Sequence, residues 1–195
     1  MPEQLSFAEF DRPSRPPTDR LFYAVFPDVA AAACVAHRAS HQREKHGLKG
    51  KPLETDRFHV TLHHLGDYVG DPPQGTIAAA LDAGAAVAAL PFDVEFDCAM
   101  SFGQRRNAPL VLCGGDGVAA LTAFQHALGV AMMRAGLGRL VERRFTPHVT
   151  LLYHDRHVEK QAVEPVGWTV REFVLVRSLL GQTRHIPLGR WSLLG

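Results

Sequence analysis

Cysteine is scarce in this chain, and its arrangement argues against two classes of protein. Cys34, Cys98 and Cys113 are widely separated, odd in number and form no Cys-x-x-Cys pair. Small secreted scaffolds use even sets of cysteines, and cysteine zinc sites use closely spaced pairs. The sequence therefore disfavours a disulfide framework and a zinc finger, and it suits a reducing compartment such as the cytoplasm.

Long apolar runs and a strong excess of one charge are also missing. No stretch of 18 apolar residues occurs, so we expect no membrane-spanning helix. The N-terminus lacks a basic start followed by an apolar core, so we expect no secretory signal. The net charge of +1 argues against a surface that coats nucleic acid, although local charges can still hold a small anion. We expect a soluble, cytoplasmic monomer that does not associate with membranes.

Prolines are frequent near the start of the chain. Pro2, Pro13, Pro16 and Pro17 lie among polar residues, which disfavours regular structure. We predict a flexible tail over residues 1–19 and a single two-lobed domain over residues 20–195.

The most informative feature is a four-residue motif that occurs twice. The segment 59–62 reads His-Val-Thr-Leu, and so does the segment 148–151. Both copies have apolar and β-branched neighbours, which is typical of strands. Side chains two residues apart share one face of a strand. His59 and Thr61 are therefore predicted to point together into a cleft, and His148 and Thr150 to do the same.

The elements around the two motifs alternate between strands and helices. Hairpins interrupt this alternation, which favours an α+β fold. We predict two pseudo-symmetric lobes with largely antiparallel sheets, outer helices and a central cleft. The predicted elements are strands over 20–26, 92–102, 108–113, 168–180 and 186–194, and helices over 28–46, 74–89 and about 118–132.

Two histidines and two hydroxyls in one cleft suit the cleavage of a phosphodiester. One neutral imidazole can accept a proton from the attacking oxygen while a charged one donates a proton to the leaving oxygen. Threonine hydroxyls can hydrogen-bond the non-bridging phosphate oxygens. A single histidine on a half-buried strand is more often structural, but the exact repetition of the motif favours the catalytic interpretation.

These residues resemble the 2H phosphoesterase superfamily, and most closely its 2′-5′ RNA ligase and RNA 2′,3′-cyclic phosphodiesterase branch. The resemblance also covers segment 20–27, the Leu-Gly that closes segment 59–66, and the final hairpin over 175–193. It implies a two-lobed fold and no cofactor. It further implies that His148 activates water on a cyclic phosphate and that His59 protonates the departing oxygen, although these two roles can be exchanged.

Two positions depart from the family pattern. His63 stands where this branch often has a basic residue, and alternation predicts that it shares the face of His59. The second motif is followed by Leu152 and Tyr153 instead of a small residue and arginine. We therefore expect substrate contacts from residues around the cleft, namely His63, Arg105, Arg106, Arg144, Tyr153 and Arg156.

The expected function is metal-independent hydrolysis of 2′,3′-cyclic phosphate ends of RNA or small nucleotides. Alternatives are 2′-5′ RNA ligation, 2′-5′ phosphodiesterase activity, or a non-catalytic module that binds RNA ends. A metal centre built from histidines 59, 63, 64 and 148 is disfavoured, because alternation turns His64 away from His59 and no carboxylate is suitably placed.

Overall fold

A computed structural model describes residues 15–103 and 107–194 of the chain. Eight strands and three α-helices follow one another along these residues. They are β1 (Asp19–Val25), α1 (Val29–Lys45), β2 (Val60–Tyr68), α2 (Gln74–Ala85), β3 (Phe92–Ser101), β4 (Ala108–Cys113), α3 (Ala119–Arg134), β5 (His148–His154), β6 (Gln161–Val170), β7 (Glu172–Leu179) and β8 (Arg184–Ser192). Short 3₁₀ turns lie at 55–57, 116–118 and 138–140.

The strands form two antiparallel sheets of four. The first sheet has the order β2-β1-β7-β8 and the second has the order β5-β4-β3-β6. In each sheet the strand with the His-x-Thr motif lies at the edge. Its neighbour is the preceding strand of the chain, and one helix connects the two: α1 connects β1 to β2, and α3 connects β4 to β5. The units β1-α1-β2 and β4-α3-β5 are thus equivalent, and β2 contacts β5. The predicted α+β fold with two lobes and antiparallel sheets is confirmed.

Local sequence signals account for the first helix. The Asp28 carboxylate accepts a hydrogen bond from the backbone N–H of Ala31 at 2.8 Å, which caps the helix start. The helix ends before Gly47, whose φ of 58° lies in the left-handed region that favours glycine. Between these ends, small apolar residues such as Ala31, Val35 and Ala39 are buried.

The main core lies between the sheets and the helices that cover their outer faces. Helix α1 packs on β5 and β6, α2 packs on β7 and β8, and α3 packs on β2 and β3. In the first sheet, Tyr23, Phe173 and Trp191 pack together on this covered face. The opposite face carries a smaller buried cluster of Phe22, Ala24, Val174 and Val176. That second face forms one side of the central cleft.

Several boundaries differ from the prediction, among them that of the last strand, which spans Arg184–Ser192 and not 186–194. The segment 168–180 is not one strand: Val170 pairs with Phe92 in the second sheet, whereas Glu172 pairs with Ser192 in the first. The chain changes sheet at a single residue, Arg171, without the glycine or proline that would mark a turn in the sequence. Helix α2 ends at Ala85 and not near residue 89. Strand β1 begins one residue inside the predicted tail, at Asp19.

Two further observations concern the whole described chain. Cys34, Cys98 and Cys113 are all free thiols. None of the helices within residues 15–103 and 107–194 is long and apolar enough to cross a membrane.

Candidate active site

The two motif strands bring their polar side chains to one cavity between the sheets. This cavity has a volume of about 520 Å³, and His59, Thr61, His148 and Thr150 all line it. The alternation of the strands explains this, because Val60 and Val149 point into the core and are fully buried. The other side chains that line the cavity include Arg20, Phe22, Arg57, His64, Tyr153, Ser178 and His185.

The two motif histidines are held in the same way. Nδ1 of His59 lies 2.7 Å from the carbonyl oxygen of Arg57, and Nδ1 of His148 lies 2.7 Å from the carbonyl oxygen of Thr146. A carbonyl can only accept a hydrogen bond, so Nδ1 carries the proton in both rings. Nε2 of each ring is then available to the cavity, as an acceptor when the ring is neutral and as a donor when it is charged.

Aromatic rings support both imidazoles. Phe22 stacks on His59 with 5.1 Å between ring centroids, and Phe102 packs against His148 at 4.8 Å. A third imidazole, His185 of β8, meets His59 edge-on at 5.4 Å. The rings are therefore fixed by packing as well as by their Nδ1 hydrogen bonds.

Burial makes these imidazoles less basic than free histidine. Burial lowers the pKa of His59 to about 4, and the positive charges of Arg57 and Arg20 contribute to this lowering. The hydrogen bond to the Arg57 carbonyl opposes these effects, because it raises the pKa. Burial also lowers the pKa of His148, against its hydrogen bond to Thr146. Burial lowers the pKa of His185 to about 4. His59 is thus neutral at physiological pH.

A bulge changes the alternation directly after each motif. In β2 the register with β1 shifts between Thr61 and His63, and in β5 the register with β4 shifts between Thr150 and Leu152. Each bulge inserts one residue, so the side chains beyond it change face. His64 and Tyr153, at equivalent positions, consequently line the cavity together with the motif residues.

The predicted orientations of His63 and His64 were therefore wrong. His63 is only 1% exposed and points to the opposite face, towards α3. Its Nε2 donates to the carbonyl oxygen of Gln125 at 2.9 Å, and its Nδ1 accepts from the backbone N–H of Glu142 at 3.1 Å. These contacts satisfy both ring nitrogens, so His63 is a structural residue that does not reach the cleft.

Arg20 brings a cation to the cavity from the first strand. Arg20 Nε and Nη2 each lie 2.7 Å from an oxygen of Asp67, and Asp67 Oδ1 also lies 2.9 Å from His64 Nε2. The Arg20 guanidinium holds the pKa of the Asp67 carboxyl far below its usual range. The strand register places Asp67, Arg20, Ser178 and His185 side by side across the first sheet.

The arginines that the sequence suggested for substrate binding are not gathered at this cavity. Arg105 and Arg106 lie outside the described residues. Arg144 is exposed and does not line the cavity, and Arg156 lies in a neighbouring pocket where its Nη1 donates to the His46 carbonyl. Arg20 and Arg57 do line the cavity and were missed. Arg20 is placed by a cross-strand register that is not visible in the sequence, whereas Arg57 lies only two residues before His59, and that proximity was the available signal.

Of the four histidines of the disfavoured metal centre, His59, His64 and His148 line the same cavity and His63 does not. His63 points away from His59 and His148, across the strand. Within the described ranges, no group of three or more His, Cys, Asp or Glu side chains is placed to hold a metal ion.

Two facing lobes that each present a His-x-Thr pair from an edge strand define the class of the 2H phosphoesterases. The chain belongs to the 2′-5′ RNA ligase superfamily, since a model of that family matches residues 26–182. A search of curated proteins gave no significant match.

Solved structures agree with this assignment. E. coli LigT in its apo form is 28% identical, with a TM-score of 0.65 over 92% of this chain and 99% of LigT. A structure described only as a phosphoesterase is also 28% identical, with a TM-score of 0.66 over 92% of this chain and all of the other. The protein TT0787 of Thermus thermophilus shares the fold at 24% identity, with a TM-score of 0.69 over 89% of this chain and 97% of that one.

Proposed function

We propose that this protein is a metal-independent phosphoesterase that hydrolyses 2′,3′-cyclic phosphate ends of RNA or of small nucleotides. The observation that carries the proposal is the matched pair of histidines. His59 and His148 each donate to a carbonyl through Nδ1, neither has a partner for Nε2 among the described residues, and both line one cavity. A base and an acid on opposite sides of a phosphorus atom are what in-line displacement requires.

Burial lowers the pKa of both imidazoles, and we assign the role of base to His59, the one whose pKa is lowered to about 4. His59 has its pKa lowered to about 4 and is neutral, so it suits the base. Its Nε2 takes a proton from water as the water oxygen bonds to phosphorus. The bond from phosphorus to O2′ or O3′ breaks, and Nε2 of a protonated His148 gives its proton to the departing oxygen. This order reverses the one that the family resemblance implies.

The remaining side chains of the cavity suit the anionic phosphate. The hydroxyls of Thr61 and Thr150 can donate to non-bridging oxygens. Arg20, oriented by Asp67, also lines the cavity and can donate to a phosphate oxygen. E. coli LigT has been crystallised with 3′-AMP, with ATP and with NADP+. These complexes of a similar protein support a nucleotide as the substrate of the present one.

Turnover of a nucleoside 2′,3′-cyclic phosphate in the presence of EDTA tests the proposal. His59→Ala and His148→Ala are each expected to lower kcat by roughly 10²–10⁴-fold, because each removes one proton-transfer group. His126→Ala, an exposed histidine on α3, serves as the matched control and is expected to retain activity. Activity that survives both cleft substitutions would refute the mechanism.

Metal addition to this assay and two assays with RNA ends separate the alternatives. Loss of activity on chelation, with recovery on adding a divalent metal, would favour a metal enzyme. Tight binding of RNA ends without turnover would favour a binding module. Joining of a 2′,3′-cyclic phosphate end to a 5′-hydroxyl end would show ligation, in which the 5′-hydroxyl replaces water as the nucleophile and the two histidines keep their roles.

A further inference from the structure

A second cavity continues the cleft along the same face of the first sheet. It has a volume of about 370 Å³ and lies over Val174 and Val176, which pair with Arg190 and Pro187 of β8. Phe26 forms one of its walls, next to His59 at 5.8 Å between ring centroids. The floor of this cavity is thus apolar and aromatic, and the cavity begins where the catalytic one ends.

Arg57 and His185 form the boundary, because both side chains line both cavities. Nε and Nη1 of Arg57 and both ring nitrogens of His185 are buried without a hydrogen-bond partner among the described residues. Buried polar groups normally have partners, so these four nitrogens leave unused hydrogen-bonding capacity at the boundary between the two cavities. At least the guanidinium nitrogens require an acceptor.

The rim of the second cavity is mainly cationic. Arg57 and the exposed Arg184 face it, and Arg190 is already paired with Glu172 at 2.6 Å. Among the residues that the structure describes, the one carboxylate at the rim belongs to the exposed Asp56. A guanidinium group can donate two parallel hydrogen bonds to phosphate oxygens, and an aromatic ring can stack on any of the nucleobases. The combination suits one further nucleotide of a single strand.

We infer that this second cavity binds the nucleotide that precedes the cyclic-phosphate nucleotide at the 3′ end of a single-stranded RNA. Arg57 binds the phosphodiester that links the two nucleotides, and Phe26 stacks on the preceding base, while Arg184 adds positive charge at the rim. The inference rests on the proposed function and deepens it, because it makes an RNA end a better substrate than a mononucleotide.

The test compares two substrates, a dinucleotide that ends in a 2′,3′-cyclic phosphate and the corresponding nucleoside 2′,3′-cyclic phosphate. The wild-type protein is expected to show a kcat/KM at least about tenfold higher for the dinucleotide, as expected for one stacked base. Phe26→Leu, which keeps apolar volume but removes the ring, and Arg184→Ala are each expected to bring this ratio towards one. Arg134→Ala, which removes one exposed charge at the end of α3, is expected to keep the wild-type ratio.

Equal kcat/KM values for the two substrates in the wild type would overturn the second site and leave the proposed function intact. If neither substrate reacts, the proposed function fails, and calorimetry then judges the site separately. The wild type must bind a dinucleotide 3′-phosphate about tenfold more tightly than a nucleoside 3′-phosphate, and Phe26→Leu must abolish the difference. Equal affinities would overturn the inference.

Discussion

His59, His63 and His148 all lie on or beside the motif strands, but their ring nitrogens have different partners. Nδ1 of His59 and of His148 donates to a carbonyl two residues earlier, which leaves Nε2 free at the cavity. In His63, Nε2 donates to Gln125 and Nδ1 accepts from Glu142, so no nitrogen is free. A histidine needs a free nitrogen to transfer a proton, so only the first two suit acid–base chemistry.

The pH dependence of kcat/KM should reflect the two free nitrogens. This ratio reports the pKa values of the acid and the base in the free enzyme. Activity should rise with pH through the pKa of His59, about 4, and fall as His148 loses its proton below 6.5. We expect a bell-shaped profile with its maximum below pH 6.5. Arg57→Gln, which removes a positive charge near His59, should move the acidic limb to higher pH, and a maximum above pH 7.5 would contradict the assignment.

His63 should matter for stability and not for chemistry. His63→Ala leaves the backbone N–H of Glu142 and the carbonyl of Gln125 without their buried partner, which is expected to lower the free energy of unfolding by about 2 kcal/mol or more. His64→Ala, at the next position but half exposed, is the control and should change it by less than about 0.5 kcal/mol. Urea denaturation measures both. Equal effects of the two substitutions would refute the buried role of His63.

At the scale of elements, the packing of α2 on the first sheet depends on a glycine. A Cβ added at Gly84 would lie 2.5 Å from the Trp191 ring, whereas one added at Gly75 in the first turn meets nothing within 4 Å. Alanine normally stabilises a helix relative to glycine by about 1 kcal/mol. Gly75→Ala should therefore leave the midpoint of urea denaturation unchanged or raise it. Gly84→Ala should lower it, because the helix must move away from a ring that Phe173 stacks against.

A stabilising effect of Gly84→Ala would show that Trp191 can shift without cost. Tryptophan fluorescence during the same denaturation, in variants that also carry Trp168→Phe, provides a second readout of this contact, since the Trp191 ring is partly buried between β8 and α2. The Gly75→Ala variant, in the same helix, corrects for helix propensity.

Strict alternation within a strand is what the sequence reveals, and it holds only as far as the first bulge. It placed His59 with Thr61 and His148 with Thr150 on one face, and the structure brings these four side chains to one cavity. Alternation failed directly after the first motif, at His63 and His64. Both residues are histidines, so the sequence does not show that a bulge exchanges their faces. Comparison of the two copies could have corrected the orientation of His63. Leu152 follows the second motif at the position where His63 follows the first, and a leucine is expected in the core.

Contacts between distant elements were beyond the sequence. Arg20, Ser178 and His185 reach the cavity through a register that joins β1, β7 and β8, and these strands are far apart along the chain. The split at Arg171 was missed for a related reason, since β6 and β7 are joined by a single residue and only their partners in different sheets separate them. Local patterns predict elements, whereas tertiary pairing decides which of them meet.

At the scale of the whole molecule, the buried histidines tie stability to pH. Burial lowers the pKa of His59, His63, His148, His154 and His185 in the folded protein. The unfolded chain binds protons at these residues near pH 6.5, so between that pH and about 4 it holds more protons than the folded chain. Stability is therefore complete above pH 6.5 and is lost as the pH falls.

We expect the free energy of unfolding to fall by on the order of a few kcal/mol between pH 7.5 and pH 4.5, measured by urea denaturation at a series of pH values. Asp19 and Asp67 contribute little to this decline, because their pKa values are lowered and their contribution is lost mainly below their unfolded value near 3.8. His148→Gln removes one of the five groups and should make the decline shallower, whereas the exposed His126→Gln should leave it unchanged. A free energy of unfolding that stays constant from pH 7.5 to pH 4.5 would mean that protons reach these rings without unfolding the lobes, and the cleft would then be wetter than its packing indicates.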